Sequence, residues 1–286
     1  MEQFHLCAVG CEMNKTGFIL ALLLAAVAAL AWLANRSAFF PMQYPGGDWT
    51  TQSAVGAQDV WLTTSDGVKI HAWWKPLAGA KAVTLFLHGN AGNVTHRAAA
   101  MLEIAAAGNA VLVPDYRGYG RSDGRPTEQG LYRDADAAYH WLLAQGWTAG
   151  QIILHGESLG TSVATDLAAR RHCAGVILEA PFPSARAVAA RVLPLLGPIL
   201  VWGFDTGKKI RALRAPLLII HGTDDEVIDF ALGQEVLAAA PSPKEFWAVA
   251  SAHHNDIAAT AGAAYRERLQ TFMMNACNAA ASSPSP

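Results

Sequence analysis

Short apolar runs of four to six residues constrain the fold of this chain more than any other feature of its sequence. A strand that is apolar at every position is buried on both faces, and such strands belong to parallel sheets covered by helices. The segments between the runs, for example 128–145 and 158–170, are amphipathic or alanine-rich and long enough for crossover helices. The runs are 82–87, 110–114, 152–155, 176–180 and 217–221.

Two further patterns complete the predicted sheet. Residues 60–62 and 68–74 flank a Ser-Asp-Gly turn and predict an antiparallel hairpin ahead of the parallel strands. A last strand at 245–250 is followed by a predicted terminal helix at 261–274. The expected fold class is therefore α/β, with a mostly parallel sheet that has helices on both faces.

Composition excludes several classes of function. Lys and Arg number 21 and Asp and Glu 23, a net charge of −2 without a basic run, so we expect no nucleic-acid partner. The hydrophobic fraction is 52%, but 55 residues are alanine, so this fraction does not indicate a polytopic membrane protein. The four cysteines lack metal-ligand spacing, and neither a phosphate-binding loop nor an H-E-x-x-H zinc motif is present. We therefore expect no cofactor, no metal and no disulfide framework.

The uncharged run at 17–34 is long enough to cross a membrane. As a helix it covers about 27 Å, close to the thickness of the hydrocarbon core of a bilayer. We interpret it as a single-pass anchor; a signal peptide cleaved near 29–31 and a buried core helix are the alternatives. Lys15 before the run and Arg36 after it give a slight bias that favours a domain on the non-cytoplasmic side. Cleavage would instead make the protein secreted or periplasmic.

The predicted organisation is one domain with a short anchor and two additional ends. The domain covers 49–276 and is preceded by a linker at 35–48, which is polar and Gly-rich after Pro41. Residues 1–16 form an N-terminal extension, of which 1–12 could be an upstream addition. The Ser/Pro-containing end, 277–286, is expected to be a flexible tail.

Ser158, within the pentapeptide GESLG at 156–160, is the strongest indication of chemistry. It follows the strand predicted at 152–155 and directly precedes a helical run, which is the context that the G-x-S-x-G nucleophile motif requires. Small flanking residues let the turn tighten and expose the hydroxyl above the sheet. We interpret Ser158 as a nucleophile, with a Gly-rich turn of purely structural role as the alternative.

A nucleophilic serine needs a base, and the base needs a carboxylate that fixes its tautomer. In this fold the expected chain order is serine, acid, histidine, and the residues after strands 217–221 and 245–250 satisfy it. Spacing from the strand end favours Asp225 as the acid, and His254 is preferred over His253 as the base. The other acidic candidates at this strand end are Asp224, Glu226 and Asp229.

Negative charge that develops on a tetrahedral intermediate needs donors that are already in place. We assign the backbone amides of Leu159, which follows the nucleophile, and of Asn90, in the loop after strand 82–87. His88 in the same loop is interpreted as a buried histidine that braces the turn. The Gly-rich loop at 115–122 lacks the spacing of a dinucleotide site and is interpreted as a structural loop beside the active site.

Four motifs together resemble those of a known superfamily, the α/β hydrolases. The likeness runs from residue 49 to about 274, and the chain is similar to a small membrane-anchored branch that includes protein depalmitoylases and uncharacterised bacterial relatives. The resemblance implies an eight-stranded sheet and places the triad on Ser158, Asp225 and His254. His253 stands where this branch usually has glycine. The motifs are HGNAGN at 88–93, DYRGYGRS at 115–122, HGTDDEVI at 221–228 and HND at 254–256.

The segment at about 183–209 occupies the usual place of a lid and is too short for a full cap domain. We therefore expect an open site that accepts an acyl group on a larger carrier or at a membrane surface. The predicted activity is that of a serine hydrolase that cleaves esters or thioesters through an acyl-enzyme. A serine aminopeptidase-like amidase and a non-catalytic binding protein with the same fold are the alternatives.

Overall fold

The computed structural model describes residues 15–36, 38–241 and 243–282. Most of the predicted N-terminal extension, 1–14, lies outside the described residues, and so does the end of the predicted tail, 283–286. The strands are Phe40–Pro41 (β1), Gln58–Thr63 (β2), Lys69–Lys75 (β3), Val83–Leu87 (β4), Ala91–Gly92 (β5), Ala110–Pro114 (β6), Ile152–Glu157 (β7), Gly175–Glu179 (β8), Leu217–Gly222 (β9) and Lys244–Val249 (β10).

Helices cover both faces of the sheet, and a helix is also the first and the last element that the structure describes. The α-helices are Lys15–Arg36 (α1), Thr51–Val55 (α2), Ala98–Ala106 (α3), Glu128–Ala144 (α4), Leu159–Arg170 (α5), Ala185–Val192 (α6), Gly197–Leu200 (α7), Thr206–Lys209 (α8), Phe230–Ala239 (α9), Ile257–Ala261 (α10) and Ala263–Ser282 (α11). Short 3-10 turns occur at Val94–Arg97, Ala149–Gln151 and Ile210–Ala212.

Eight strands form one sheet in the order β2-β3-β6-β4-β7-β8-β9-β10. The six strands from β6 to β10 in this order run parallel, whereas β3 is antiparallel to both β2 and β6. The predicted α/β fold, its eight strands and its leading hairpin are therefore confirmed. A small parallel pair, β1 with β5, was not predicted from the sequence.

The core lies in two layers, one on each face of the sheet. Successive side chains of a strand point to opposite faces, so Leu85 and Leu154 pack on one side while Phe86 and Ile153 pack on the other. Helices α4 and α5 cover the first face, and α3 and α11 cover the second. Burial on both faces explains why these strands are apolar at most positions.

Both ends of the predicted domain differ from expectation. Helix α11 continues to Ser282, so residues 277–282 are helical and not part of a flexible tail. The predicted linker at 35–48 contains β1, whose Phe40 and Pro41 pair with Ala91 and Gly92 of β5. A tertiary contact of this kind leaves no local pattern in a segment this short.

Helix α1 stands apart from the core. By length and composition it contains a candidate membrane span, Gly17–Asn35, and only 6% of its most apolar window is buried. Ala31 is an exception because it is 3% exposed. Two cysteines, Cys173 and Cys277, lie within the described residues, and both are free thiols.

Candidate active site

Ser158 lies in a sharp turn between β7 and α5. Its φ of 51° and ψ of −117° place a non-glycine residue in a region that L-amino acids rarely adopt, as expected of a nucleophile elbow. The Ser158 amide donates to the Glu179 carbonyl oxygen at 2.9 Å, which ties the turn to β8. The surrounding sheet therefore holds the strained backbone in place.

Both glycines of the pentapeptide are required by close packing. A Cβ on Gly160 would lie 1.8 Å from the carbonyl oxygen of Leu87, and one on Gly156 would lie 2.4 Å from the carbonyl oxygen of Gly160. These contacts bring the start of α5 against the end of β4. The elbow can close only because neither position carries a side chain.

The structure brings Ser158, His254 and Asp225 together at the carboxyl ends of β7, β9 and β10. Ser158 Oγ lies 3.2 Å from His254 Nε2, and His254 Nδ1 lies 2.8 Å from Asp225 Oδ2. Because Nδ1 donates to the carboxylate, Nε2 is left to accept the serine proton. The three side chains thus have the connectivity of a nucleophile, a base and an orienting acid.

Asp225 is held as a carboxylate by several donors. Its Oδ1 accepts the backbone amides of Val227 at 2.9 Å and Ile228 at 2.7 Å, and His221 Nε2 lies 3.3 Å from Oδ2. Burial alone would raise the pKa of this carboxyl. The hydrogen bonds from His221, His254 and the Ile228 amide outweigh burial and hold the pKa of Asp225 well below its usual value.

The two histidines considered for the base have different surroundings. The side chain of His253 is 57% exposed and its Nδ1 lies 3.1 Å from Glu226 Oε2, an ion pair that raises the pKa of His253. The side chain of His254 is 8% exposed and contacts both Ser158 and Asp225. The preference for His254 therefore agrees with the geometry.

Asn90 and Leu159 both line the cavity into which Ser158 opens. The side chain of Asn90 is occupied elsewhere, because its Nδ2 donates to the Ala38 carbonyl oxygen at 2.7 Å. The Tyr119 hydroxyl lies 2.8 Å from the Asn90 carbonyl oxygen and 3.0 Å from Asn90 Oδ1. These contacts hold the peptide of Asn90 in place beside the same cavity as Ser158.

His88 is fully buried and has a structural environment. Its Nδ1 donates to the Gly89 carbonyl oxygen at 2.7 Å, and the Tyr116 hydroxyl donates to the His88 carbonyl oxygen at 3.1 Å. Burial, together with the positive charge of Arg97, lowers the pKa of His88 to about 3. A neutral imidazole in this position braces the loop, in agreement with the sequence-based interpretation.

A cavity of about 440 Å³ opens in front of Ser158. This volume is within the range of small-molecule sites. The lining side chains are almost all apolar and none is charged. They come from α1 and the following segment (Ala34, Ala38, Phe39), from segments at the carboxyl ends of strands (Asn90, Ser158, Leu159, Phe182, Val227, Ile228) and from α6, α7 and their flanks (Ala185, Val188, Ala189, Val192, Leu193, Gly197, Leu200, Val201, Phe204).

The sequence did not indicate four residues that contribute to the site. His221 was noted only as a strand end, although its spacing of four residues from Asp225 could have indicated a contact across the turn. Tyr119 was assigned to a structural loop, and its support of Asn90 depends on folding. Ala34 and Phe39 lay in the predicted anchor and linker, where nothing local indicated a cavity wall.

No group of three or more His, Cys, Asp or Glu side chains that could hold a metal ion occurs in the part of the chain that the structure describes.

Comparison with known proteins agrees with this geometry. Residues 78–208 match the Hydrolase_4 family, described as serine aminopeptidase, S33. An uncharacterised protein of Mycobacterium tuberculosis is 34% identical over 269 residues, which are 92% of this chain and 95% of that protein. Alpha/beta hydrolase domain-containing protein 17C of Xenopus tropicalis is 39% identical over 198 residues. The chain belongs to the α/β-hydrolase superfamily.

The coverage of these relatives differs. The matched part is 68% of this α/β hydrolase and 62% of the Xenopus protein, so that relative has a substantial part without a counterpart here. A solved structure of an esterase from Pyrococcus furiosus has a TM-score of 0.70 at 21% identity and covers 82% of this chain and 98% of that one. An α/β hydrolase from Vibrio vulnificus has a TM-score of 0.65 at 22% identity, covering 88% and 93%. The predicted superfamily and fold are confirmed.

Proposed function

We propose that this α/β hydrolase is a serine hydrolase that cleaves carboxylic ester or thioester bonds through an acyl-enzyme intermediate. The observation that carries the proposal is the line of hydrogen-bonding atoms from Ser158 Oγ through His254 to Asp225, at the mouth of an uncharged, apolar cavity. An acyl chain fits such a cavity better than a charged group, because burying an unpaired charge there is costly.

In the first half of the reaction, Ser158 Oγ attacks the substrate carbonyl carbon and its proton passes to His254 Nε2. The carbonyl oxygen becomes an oxyanion, and the amides of Asn90 and Leu159 are the donors proposed to stabilise it. The bond to the leaving group then breaks, and the leaving alcohol or thiol takes the proton from His254. Asp225 stabilises the imidazolium while the proton resides there.

In the second half, water takes the place of the leaving group. His254 accepts a proton from the water, whose oxygen attacks the acyl carbon of the Ser158 ester. The same two amides stabilise the second oxyanion. Collapse of this intermediate returns the proton to Ser158 Oγ and releases the carboxylic acid, so the enzyme ends in its starting state.

A fluorophosphonate probe, which reacts with activated serines, tests the proposal on the full-length protein. We expect it to label the wild type and not Ser158→Ala, and the same substitution to abolish hydrolysis of p-nitrophenyl butyrate. Absence of labelling in folded wild type, or equal labelling of Ser158→Ala, would contradict the proposal and favour a non-catalytic binding protein.

A serine aminopeptidase is the second candidate, because the matching family carries that description. Such an enzyme needs a carboxylate to hold the substrate ammonium, and the residues that line the cavity include none. Rates on matched acyl esters, acyl thioesters and aminoacyl anilides separate the candidates. We expect ester or thioester hydrolysis to be faster than anilide hydrolysis.

A candidate membrane span in α1 supports a proposal about where the protein acts. We propose that Gly17–Asn35 is retained as a single-pass anchor and that the catalytic domain lies on the non-cytoplasmic side, where it meets acyl groups carried on larger molecules or held in the membrane. Protease accessibility in sealed vesicles tests the side, and the mass of the purified protein distinguishes a retained anchor from a cleaved signal.

A further inference from the structure

An apolar surface lies beside the end of α1. It is formed by residues 192–202, here called the lid segment, which join α6 to α7 and continue past α7. The segment contains no charged residue in its sequence VLPLLGPILVW. Its exposed large side chains are Val192, Leu193, Leu195, Leu196, Ile199 and Trp202.

The exposure within the lid segment is high for apolar groups. Val192 is 79% exposed and Leu195 is 85% exposed, and their neighbours along the chain are also open to solvent. Soluble monomers rarely expose contiguous apolar surface of this kind, and such surface marks an interaction site. The position of the lid segment in the fold indicates what covers these apolar side chains.

The lid segment is hydrogen-bonded to the C-terminal end of α1. Asn35 Nδ2 donates to the Leu200 carbonyl oxygen at 2.8 Å, and the Trp202 amide donates to Asn35 Oδ1 at 3.3 Å. Asn35 is the last residue of the candidate span, so the lid segment lies at the level where that span ends. In a bilayer this level is the boundary between acyl chains and headgroups.

The residue types agree with this depth. Trp32 on α1 and Trp202 on the lid segment are both about half exposed near this end of the span. Tryptophan is enriched at membrane interfaces, where its ring is partly apolar and its N–H can remain hydrated. Leucine and isoleucine side chains next to it are the groups that interfacial segments bury in the acyl region.

We propose that the lid segment is a second membrane-contacting element, which inserts its apolar side chains into the bilayer surface beside α1. The cavity in front of Ser158 has Ala34 of α1 and Val192 and Leu193 of the lid segment in its wall. Its mouth is therefore held at the lipid surface, and an acyl chain can enter it from the leaflet. The proposal rests on the anchoring role of α1 and does not depend on the chemistry of Ser158.

Depth measurements on the full-length protein in phospholipid vesicles test the proposal. Single cysteines replace Leu195, Leu24 and Met274 in turn, in a background in which the native cysteines are substituted, and each carries an environment-sensitive NBD label. Leu24 reports on the span, and Met274, which is 57% exposed on α11, is the matched control. We expect lipids with a spin label near the headgroup to quench the label at 195, lipids with a spin label deep in the acyl chain to quench the label at 24, and neither lipid to quench the label at 274.

The outcomes distinguish insertion of the α1 span from insertion of the lid segment. Quenching at 24 without quenching at 195 overturns the proposal and leaves the anchor intact. Quenching at 195 without quenching at 24 removes the anchor and overturns the proposal, which places the lid segment beside a membrane-spanning α1. A label at 195 that is shielded from water but not quenched by lipid identifies a second protein copy as the occupant and also overturns the proposal.

A kinetic measurement gives an independent readout. Leu195 and Leu196 are absent from the cavity wall, so Leu195→Glu with Leu196→Glu should leave hydrolysis of soluble p-nitrophenyl butyrate unchanged. We expect hydrolysis of a long-chain ester embedded in vesicles to fall about tenfold or more, because two apolar side chains no longer enter the lipid.

Met274→Glu is the control. Equal rates for the double variant and wild type on the embedded ester would overturn the proposal, and inactivity of wild type on both esters would count against the proposed function only.

Discussion

At the scale of single residues, two adjacent histidines are distinguished by the groups that each contacts. His253 and His254 are adjacent, yet His253 is exposed beside Glu226 while His254 lies between Ser158 and Asp225. The β10–α10 loop therefore directs one imidazole into the site and the other towards solvent.

Replacing each histidine by alanine tests this difference. We expect His254→Ala to lower kcat by at least about 10³-fold, because the general base is lost. His253→Ala should retain kcat within a small factor, since it removes only an exposed ion pair. Hydrolysis of p-nitrophenyl butyrate by the two variants is the measurement, and a large loss in His253→Ala would show that the base is misassigned.

His221 supplies a second prediction at this scale. Its Nε2 lies 3.3 Å from Asp225 Oδ2 and 2.9 Å from the Ile228 carbonyl oxygen. His221 therefore helps to hold the Asp225 carboxylate in position. With His221→Gln, we expect kcat to fall about tenfold or more, since the variant weakens a hydrogen bond to a charged group. The pKa of Asp225 should rise, so activity is lost at a higher pH on the acid side.

The pH profile distinguishes this positioning role from simple loss of stability. The matched control is His71→Gln, because His71 is also fully buried but contacts Asp59 and not Asp225. A His221→Gln profile that coincides with wild type, apart from its height, would argue against positioning.

At the scale of secondary-structure elements, the start of α5 is packed against the end of β4 without room for a methyl group. Gly160→Ala should therefore destabilise the protein by about 3 kcal/mol or more, the upper end of overpacking costs. Gly150→Ala is the control, because its Cβ would meet only Ala280 Cβ at 3.4 Å, and it should stay within about 0.5 kcal/mol of wild type. Chemical denaturation of both variants measures the difference, and equal stabilities would contradict this account of the elbow.

The elements that the sequence predicted well are those with a strong local pattern. The apolar strands and the turn at Ser158 are local features, and so are the strand ends that carry Asp225 and His254. The packing of residues 38–41 on Asn90 and β5 was not predicted, because a short segment without periodicity carries no sign of which surface it will cover. The hydrogen bonds between Asn35 and the lid segment join residues 165 or more positions apart. They were not predicted for the same reason, since the local sequence does not show which distant segment it will contact.

At the scale of the whole molecule, an apolar helix is joined to a catalytic domain whose cavity it helps to form. The residues in the middle of the span are exposed and do not contact the domain core, as Leu23 and Leu24 show with exposures of 60% and 62%. Substitutions there should change membrane association without changing the fold of the domain.

Leu23→Arg with Leu24→Arg tests the anchor. Each arginine near the centre of a span costs about 2.5–3.5 kcal/mol on insertion scales, so the double variant should lose stable insertion. We expect wild type to stay with the membrane pellet after carbonate extraction and the variant to be released. Release of wild type under the same conditions would show that α1 does not span the bilayer.

The position of Ala34 in the cavity wall determines what proteolytic maturation would do to the enzyme. A cut after Ala31 would leave the wall intact and create a new α-amino group on Trp32, two residues from Ala34. Such a group ordinarily titrates near pH 8, so the mature form would carry a positive charge beside an apolar opening at neutral pH. Only the processed form would then show a response to anionic ligands that fades as the pH rises above 8.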